Sequence, residues 1–261
     1  MIGSAVGGSQ LLPVTPALGV ATAVLLAAAT AAAGWGRLGY GRAVLRAGLR
    51  ALLQLAAVSA VIAWVVRSLP LSLLFVLLMF AVAVRTAGRR MTAGPEWPWA
   101  ALPIAAGVVP SLVLLVVSGL LPLKGITLIP VAGILIGGAL TATSLSGRRA
   151  LDELAQRRGE VEAALSLGFP DRDARLEICR TAAATSLVPA LDQTRTVGLV
   201  TLPGAFVGLL LGGASPVVAG AVQLFVLVAL LAVESVAVLV VLELVGRGLV
   251  VRGAEHGRQV R

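Results

Sequence analysis

Long apolar runs separated by short arginine-containing segments constrain this chain more than any other feature. A helix that crosses a bilayer needs roughly 20 mostly apolar residues, and such runs recur from end to end of the sequence. Only 13% of the 261 residues are charged, whereas soluble domains carry about 25%. The sequence therefore predicts an all-α integral membrane protein with about seven transmembrane helices. The predicted spans are 12–34, 51–66, 69–84, 99–121, 126–147, 196–213 and 216–245.

The distribution of arginine predicts how these spans are oriented. Cytoplasmic segments of membrane proteins carry an excess of Lys and Arg. With the N-terminus outside and the C-terminus inside, every basic residue except Arg67 and Lys124 falls on the inner side. This bias accounts for the net charge of +9 without a nucleic-acid partner. We expect a multi-pass protein of the plasma (inner) membrane, surrounded by lipid.

The largest polar segment, 148–195, differs from the rest of the chain. Its apolar positions recur at roughly helical spacing among charged residues. Gly168-Phe169-Pro170 interrupts this pattern, because glycine suits the end of one helix and proline the start of the next. We expect a helical cytoplasmic hairpin between the fifth and sixth spans, within one transmembrane domain over 1–261. Its length and pattern favour docking onto another protein; the alternative is a solvated loop without a partner.

Several residue types that catalysis requires are nearly missing. A P-loop needs a lysine that reaches the phosphates, and the only lysine, Lys124, lies in a predicted outer loop. The only histidine, His256, lies in the charged C-terminal tail, and the only cysteine is Cys179. These counts argue against a retinal Schiff base, a catalytic triad and a zinc site. We expect no catalytic residue, no metal centre and no cofactor held by this chain itself.

Two motifs resemble those of known transporters. The first is Glu162-Ala163-Ala164, then three residues, Gly168, nine residues and Ile178, which resembles the EAA signature of ATP-binding-cassette (ABC) permeases. The second is VPALDQTRTVGLVTLPG at 188–204. Together with IPVAG at 129–133 and LSLG at 165–168, it closely resembles the iron-export permease family, which includes the bacterial FetB type and the plant aluminium-tolerance type.

This resemblance implies a permease subunit that pairs with a separate ABC ATPase, forms a homodimer and exports a substrate. ATP would be bound by the partner subunit, and the bacterial type implies iron as the exported metal. Gly138 stands where family members often have Asn, and the spans are poor in iron ligands. A metal ion and a nucleotide-sugar therefore both stay open as substrates. The alternative functions are an ion-gradient-driven secondary transporter and a seven-helix membrane sensor.

The candidate residues fall into three groups. Residues expected to couple the permease to the ATPase are Glu162, Ala163, Ala164, Gly168, Asp192 and Arg195. Residues expected to kink helices, or to let them pack closely through small residues four apart, are Pro203, Gly204, Gly208, Gly212, Pro130, Gly133 and Gly137. Polar residues at membrane depth rarely face lipid, and those chosen as substrate-pathway candidates are Gln54, Thr201, Gln223 and Glu234.

Two of these positions carry open alternatives. Asp192 and Arg195 lie three apart, so they are placed to pair on one helical face. That pair is interpreted either as a hinge before the sixth span or as an ordinary interfacial ion pair. Glu234 is the one acid deep in a span. It either attracts a cation or is a buried acid, bonded to a neighbouring helix or protonated.

Overall fold

A computed structural model describes residues 15–252 of the chain. Within that range the structure is helical, and the single β-type contact is an isolated bridge between Val197 and Thr201. The helices are α1 (Pro16–Trp35), α2 (Gly41–Val65), α3 (Leu69–Met91), a 3-10 turn (Trp97–Ala100), α4 (Ala101–Val117), α5 (Gly125–Gln156), α6 (Arg158–Ser166), α7 (Asp171–Ala184), a 3-10 turn (Thr185–Leu187), α8 (Val188–Thr196), α9 (Gly204–Leu211) and α10 (Pro216–Gly246).

Six helical segments within the described range are long and apolar enough to cross a membrane. They are Pro16–Trp35, Gly41–Val65, Leu69–Met91, Trp97–Val117, Gly125–Gln156 and Pro216–Gly246. The prediction of an all-α membrane protein is therefore confirmed. The count of seven spans, the orientation and the single-domain organisation stay predictions.

The chain divides into two units, up to Trp64 and from Val65 onward. In the first unit, α1 and α2 form a helical hairpin. Gly48 of α2 lies so close to α1 that a Cβ there would stand 2.5 Å from a methyl carbon of Leu26. Most of the apolar side chains of this pair are exposed in the single chain, as expected for helices that face lipid or other protein.

The core of the second unit is built around α5. Four alanines on this helix, Ala132, Ala139, Ala142 and Ala150, are completely buried. Small residues let helix backbones approach closely, and the resulting van der Waals packing favours helix association in a membrane. Helices α3, α4, α7 and α10 pack around this face of α5. One unbroken helix therefore holds the membrane bundle and the α6–α7 segment in a single framework.

Several helices extend beyond the predicted apolar runs. Helix α2 begins at Gly41 rather than at residue 51, α3 continues to Met91, and α5 continues to Gln156 rather than ending at 147. Arginine, glutamate and leucine all favour helix, so the backbone stays helical after the sequence has turned polar. Hydrophobicity indicates which part of a helix lies in the membrane, but it does not indicate where the helix ends.

The predicted sixth span is wrong as a single helix. Helix α8 ends at Thr196, and α9 begins only at Gly204, so residues 197–203 form a non-helical break. Helix α9 has eight residues, about 12 Å at 1.5 Å per residue, which is too short to cross alone. Pro203 therefore does not kink a helix; it immediately precedes α9. The physical reason is that proline disfavours helical backbone at the residue before it, here Leu202.

The close contact between α4 and α10 gives a test of this packing. A Cβ on Gly107 would lie 2.6 Å from the backbone oxygen of Val233, and backbone gives way less readily than side chain. We expect Gly107→Ala to destabilise the protein by about 1–3 kcal/mol through overpacking, seen as a lower Tm in detergent. Gly19→Ala is the control, because nothing lies within 4 Å of that position. Equal Tm values for the two variants would contradict the packing.

Candidate functional site

The predicted helical hairpin is formed by α6 and α7 together. The turn between them is made by Gly168 at φ +90°, a left-handed conformation that favours glycine. The Phe169 amide donates to the Ala164 carbonyl, and the Gly168 amide donates to the Leu165 carbonyl. Pro170 then precedes the first residue of α7. The residues that resemble the EAA signature thus lie on α6 and in this turn, and the last of them, Ile178, lies on α7.

Helix α6 makes few contacts with the rest of the chain. None of its residues is buried, and within the described range Glu162 pairs with Arg158, one turn earlier on the same helix, at 2.9 Å. The apolar side chains at the turn are also exposed, with Leu167 at 80% and Phe169 at 48%. Together, α6, Leu167 and Phe169 form an apolar-tipped surface that projects from the bundle, which we call the α6 tip.

Helix α7, by contrast, is firmly held. Four of its residues, Ala174, Leu176, Cys179 and Ala183, are buried. A Cβ on Gly246 would lie 3.0 Å from Cγ of Leu176, so α7 packs closely on the end of α10. Arg172 donates to both carboxylate oxygens of Glu243 at 2.6–3.2 Å. These hydrogen bonds raise the pKa of the Arg172 guanidinium, which stays charged.

The only cysteine provides a test of how α7 is packed. Cys179 is fully buried, and burial raises the pKa of its thiol to about 11. Because the thiolate is the reactive form, we expect N-ethylmaleimide to leave Cys179 unmodified at pH 7.4 in the folded protein. Modification should become complete in denaturing detergent, as read by mass spectrometry. Rapid modification of folded protein would show that α7 does not pack as described.

Asp192 and Arg195 lie near the end of α8. Their charged groups are 3.8 Å apart, and both side chains are mostly exposed. At that distance and exposure an ion pair contributes only about 0–1 kcal/mol. The pair therefore does little to stabilise α8, and it leaves two charged groups available on the surface of the single chain.

The break between α8 and α9 has a defined backbone geometry. Gly198 adopts φ +83°, and its amide donates to the Thr201 carbonyl at 2.9 Å. The amides of residues 199, 200 and 201 all converge on the Thr196 carbonyl at 3.0–3.3 Å. The chain thus closes a tight turn after α8 instead of continuing the helix, and Thr201 lies in that turn with an exposed side chain.

An open recess of about 190 Å³ lies between this break and α10. Its lining includes Val197, Gly198, Leu202, Phe206 and Gln223. Gln223 is only 5% exposed, yet its Oε1 has no hydrogen-bond partner within the part of the chain that the structure describes. A buried polar atom without a partner costs about 1–3 kcal/mol. An acceptor of this kind calls for a partner such as a bound water, an ion or another protein group.

Glu234 occupies a different place on α10. It is 8% exposed and faces α5, where a Cβ on Gly138 would lie 2.9 Å from its Oε1. Gly138, the departure from the family pattern, thus leaves the space that this side chain fills. Thr143 of α5 is also buried, and among residues 15–252 its hydroxyl has no partner. Gln54, the remaining pathway candidate, is exposed on α2 in the first unit.

The glycines that were predicted to let helices pack closely have different surroundings in the structure. Gly133 meets α3, since a Cβ there would lie 2.9 Å from Cε of Met79. Gly137, Gly204 and Gly208 have open space around them, and a Cβ on Gly212, the residue after α9, would meet the carbonyls of Gly208 and Leu209. Pro130 lies within α5 and is exposed. A small-residue face on α9 therefore has no neighbour inside the described part of this chain.

These features define a class of protein: a multi-pass α-helical membrane protein with a projecting helical hairpin and a broken helix against its last long helix. The chain belongs to the family described as an uncharacterised protein family, UPF0014, whose model matches residues 17–250. The predicted family is therefore confirmed, and one of the relatives is named as a probable export permease. No solved structure matches the chain.

Three relatives illustrate the family. The rice UPF0014 membrane protein STAR2 is 36% identical over 83% of this chain and 77% of its own. Protein ALUMINUM SENSITIVE 3 of Arabidopsis thaliana is 40% identical over 58% of this chain and 56% of its own. The Escherichia coli protein named probable iron export permease protein FetB is 31% identical over 54% of this chain and 53% of its own. The matches to the last two thus span little more than half of those proteins.

The turn after α8 can be tested with two glycines six residues apart. Gly198 has φ +83° whereas Gly204 does not have a positive φ, and at both positions the space that a Cβ would enter is open to 4 Å. We expect Gly198→Ala to destabilise the protein by about 1–2 kcal/mol, because left-handed backbone is strained for alanine. In the detergent-solubilised monomer, where nothing in the described chain lies within 4 Å of that position, Gly204→Ala should leave Tm unchanged or higher. The opposite order of Tm values would show that residues 197–203 are helical.

Proposed function

We propose that this chain is the permease subunit of an ABC exporter, energised by a separate ATPase and acting as a homodimer in the plasma (inner) membrane. The observation that carries the proposal is the contrast between α6 and α7. Helix α6 has no buried residue, whereas the adjoining α7 is buried against α5 and α10. An exposed element joined rigidly to the spans is what mechanical coupling to another protein requires.

In this proposal the α6 tip sits in a groove of the ATPase. Leu167 and Phe169 supply apolar contact area there, and Glu162 and the arginines around it supply the polar rim. Movement of the tip passes to α7, because the two helices share the tight turn at Gly168. It then passes to α5 and α10 through the buried face of α7 and the Arg172–Glu243 ion pair. ATP is bound by the partner, and this chain supplies no catalytic residue.

The homodimer is supported by apolar residues that stay exposed in the single chain. Leu199 is 92% exposed and Val200 is 78% exposed, and both belong to non-helical backbone. Irregular backbone at membrane depth occurs only where other protein or an aqueous cavity covers it. A second copy that meets this chain along α8 and α9 would bury these residues. It would also give the open face of Gly204 and Gly208 a helix to pack against.

A metal cation, iron in the first instance, is the proposed substrate class. One relative is named as a probable iron export permease and another for sensitivity to aluminium. Both names concern metal cations, and neither points to a nucleotide-sugar. The direction of transport follows the same relative, which is named for export.

The α6 tip gives the direct test of ATPase coupling. We expect the double variant Leu167→Asp, Phe169→Asp to weaken binding of the partner ATPase by at least about tenfold, since charge at the centre of an apolar contact is costly. Tm should not change, because both side chains are already exposed. The measurement is co-purification of the permease with its ATPase from native membranes, followed by titration of that ATPase against the permease in nanodiscs.

Leu120→Asp is the control, because Leu120 is 68% exposed and lies between α4 and α5, outside the α6–α7 hairpin. It should bind the ATPase as the unaltered protein does. Equal binding by the tip variant would contradict the proposal. Transport that continues without any ATPase and stops in Glu234→Gln would instead support an ion-gradient-driven transporter, the candidate that the buried acid of α10 favours.

A further inference from the structure

The loop between α1 and α2 encloses an open recess of about 580 Å³, which we call the α1–α2 recess. Three of its lining residues are arginines, Arg37, Arg42 and Arg46, and every other lining residue is glycine or alanine. All three arginines are exposed. The ion pairs within residues 15–252 involve none of them. The recess therefore presents guanidinium groups that have no carboxylate partner inside the described chain.

The sequence gives these arginines no negative charge in their own unit of the chain. The first acidic residue is Glu96, whereas the unit that contains α1 and α2 ends at Trp64. Arg50 lies one turn after Arg46 on α2, so this unit holds four arginines and no acid. Buried or clustered charges in proteins are normally balanced by groups of the opposite sign. An anion that balances these arginines has to come from outside the unit.

The N-terminal end of α2 adds to the positive charge of the α1–α2 recess. Helix α2 begins at Gly41 and has no acidic residue in its first turn. The first amides of a helix have no carbonyl partner within it, and their partial positive charge disfavours a cation such as Arg42 nearby. Arg46 folds back toward the same end, since its Nε donates to the Arg42 carbonyl at 3.2 Å. An anion bound here would relieve this repulsion and accept hydrogen bonds from amides and guanidinium groups.

The residues around the α1–α2 recess are typical of a membrane interface. Trp35 and Tyr40 lie at the two ends of the loop and are exposed, and these two residue types are enriched at headgroup level in membranes. Leu38 and Leu45, close to them in the sequence, are exposed as well. A soluble anion makes no use of exposed apolar surface, whereas a lipid does. In the predicted orientation the loop lies on the inner side, where anionic lipids give the leaflet a negative surface potential.

We propose that the α1–α2 recess binds the headgroup of an anionic phospholipid, with Arg37, Arg42 and Arg46 donating hydrogen bonds to its phosphate oxygens. The acyl chains would lie along the exposed apolar side chains of α1 and α2. Arginine suits this role because its planar guanidinium donates two parallel hydrogen bonds to a phosphate. Basic pockets between transmembrane helices bind lipid headgroups in this way. Lipid binding at this recess requires neither the ATPase nor the transported substrate, so it goes beyond the proposed function.

Titration of phosphatidylglycerol against the delipidated permease in neutral detergent, read by native mass spectrometry, tests the site. We expect the double variant Arg42→Gln, Arg46→Gln to weaken binding of the first lipid by about tenfold or more, since each arginine contributes to phosphate binding. The matched control is Arg85→Gln, Arg90→Gln, which removes the same amount of charge from exposed positions on α3. It should change binding by less than about twofold. Should the glutamine variant of the recess lower Tm, Arg42→Lys, Arg46→Lys keeps the charge and is still expected to weaken binding, because lysine lacks the paired donors.

Equal phosphatidylglycerol binding by the recess variant and the unaltered protein would overturn the site, as would equal binding of zwitterionic phosphatidylcholine by the unaltered protein. Glycerol phosphate that binds as tightly as the lipid would assign the recess to a soluble phosphate and overturn the lipid. A recess variant that keeps its lipid but loses the ATPase would show that the arginines meet acidic side chains of that partner instead. An unaltered permease that binds no ATPase, yet prefers phosphatidylglycerol through the recess arginines, would overturn the proposed function and support the lipid site.

Discussion

Backbone amides and carbonyls inside a bilayer have no water to bond with, and the architecture of this molecule depends on that constraint. Continuous helices satisfy every such group internally, which is why α3, α5 and α10 run for 23, 32 and 31 residues without interruption. Against this background the turn after α8 is exceptional. It is accepted only because Thr196 and Thr201 recover some of the lost hydrogen bonds, and because other groups must cover the remainder.

The architecture also depends on α5, which connects the membrane helices to the α6–α7 hairpin. Its buried alanines bring α3, α4 and α10 close together, and its polar continuation to Gln156 meets α7. The same helix is therefore both a membrane span and the support of the hairpin. Arg252 reaches back to Asp152 on that polar continuation at 3.1 Å, so the segment after α10 is fastened to it as well. A movement of the hairpin would thus be resisted at several points, and it would be shared by α5 and α10.

Much of the fold follows from the sequence, and the exceptions have physical reasons. Apolar runs located α1, α3, α5 and α10, because hydrophobic length is what a membrane selects. Gly168 and Pro170 located the hairpin turn for reasons of backbone conformation alone. The sixth span was wrong as a single helix, because residues 196–213 are apolar enough to cross and hydropathy does not report backbone hydrogen bonding. The signal for a break was present in Gly198 together with Pro203, but a proline in an apolar run was interpreted as a kink.

The candidate site was harder to predict from the sequence than the fold was. Gln223 stood out as a polar residue in an apolar run, but its unpartnered oxygen depends on where the break falls in space. Gly138 and Glu234 were each noticed separately, one as a departure from a family pattern and one as a buried acid. Their contact across α5 and α10 depends on tertiary packing. The side chain of Glu234 occupies the space that a side chain at position 138 would need. A larger residue on one of the two helices therefore requires a smaller residue on the other. Neither can be interpreted alone in any sequence comparison.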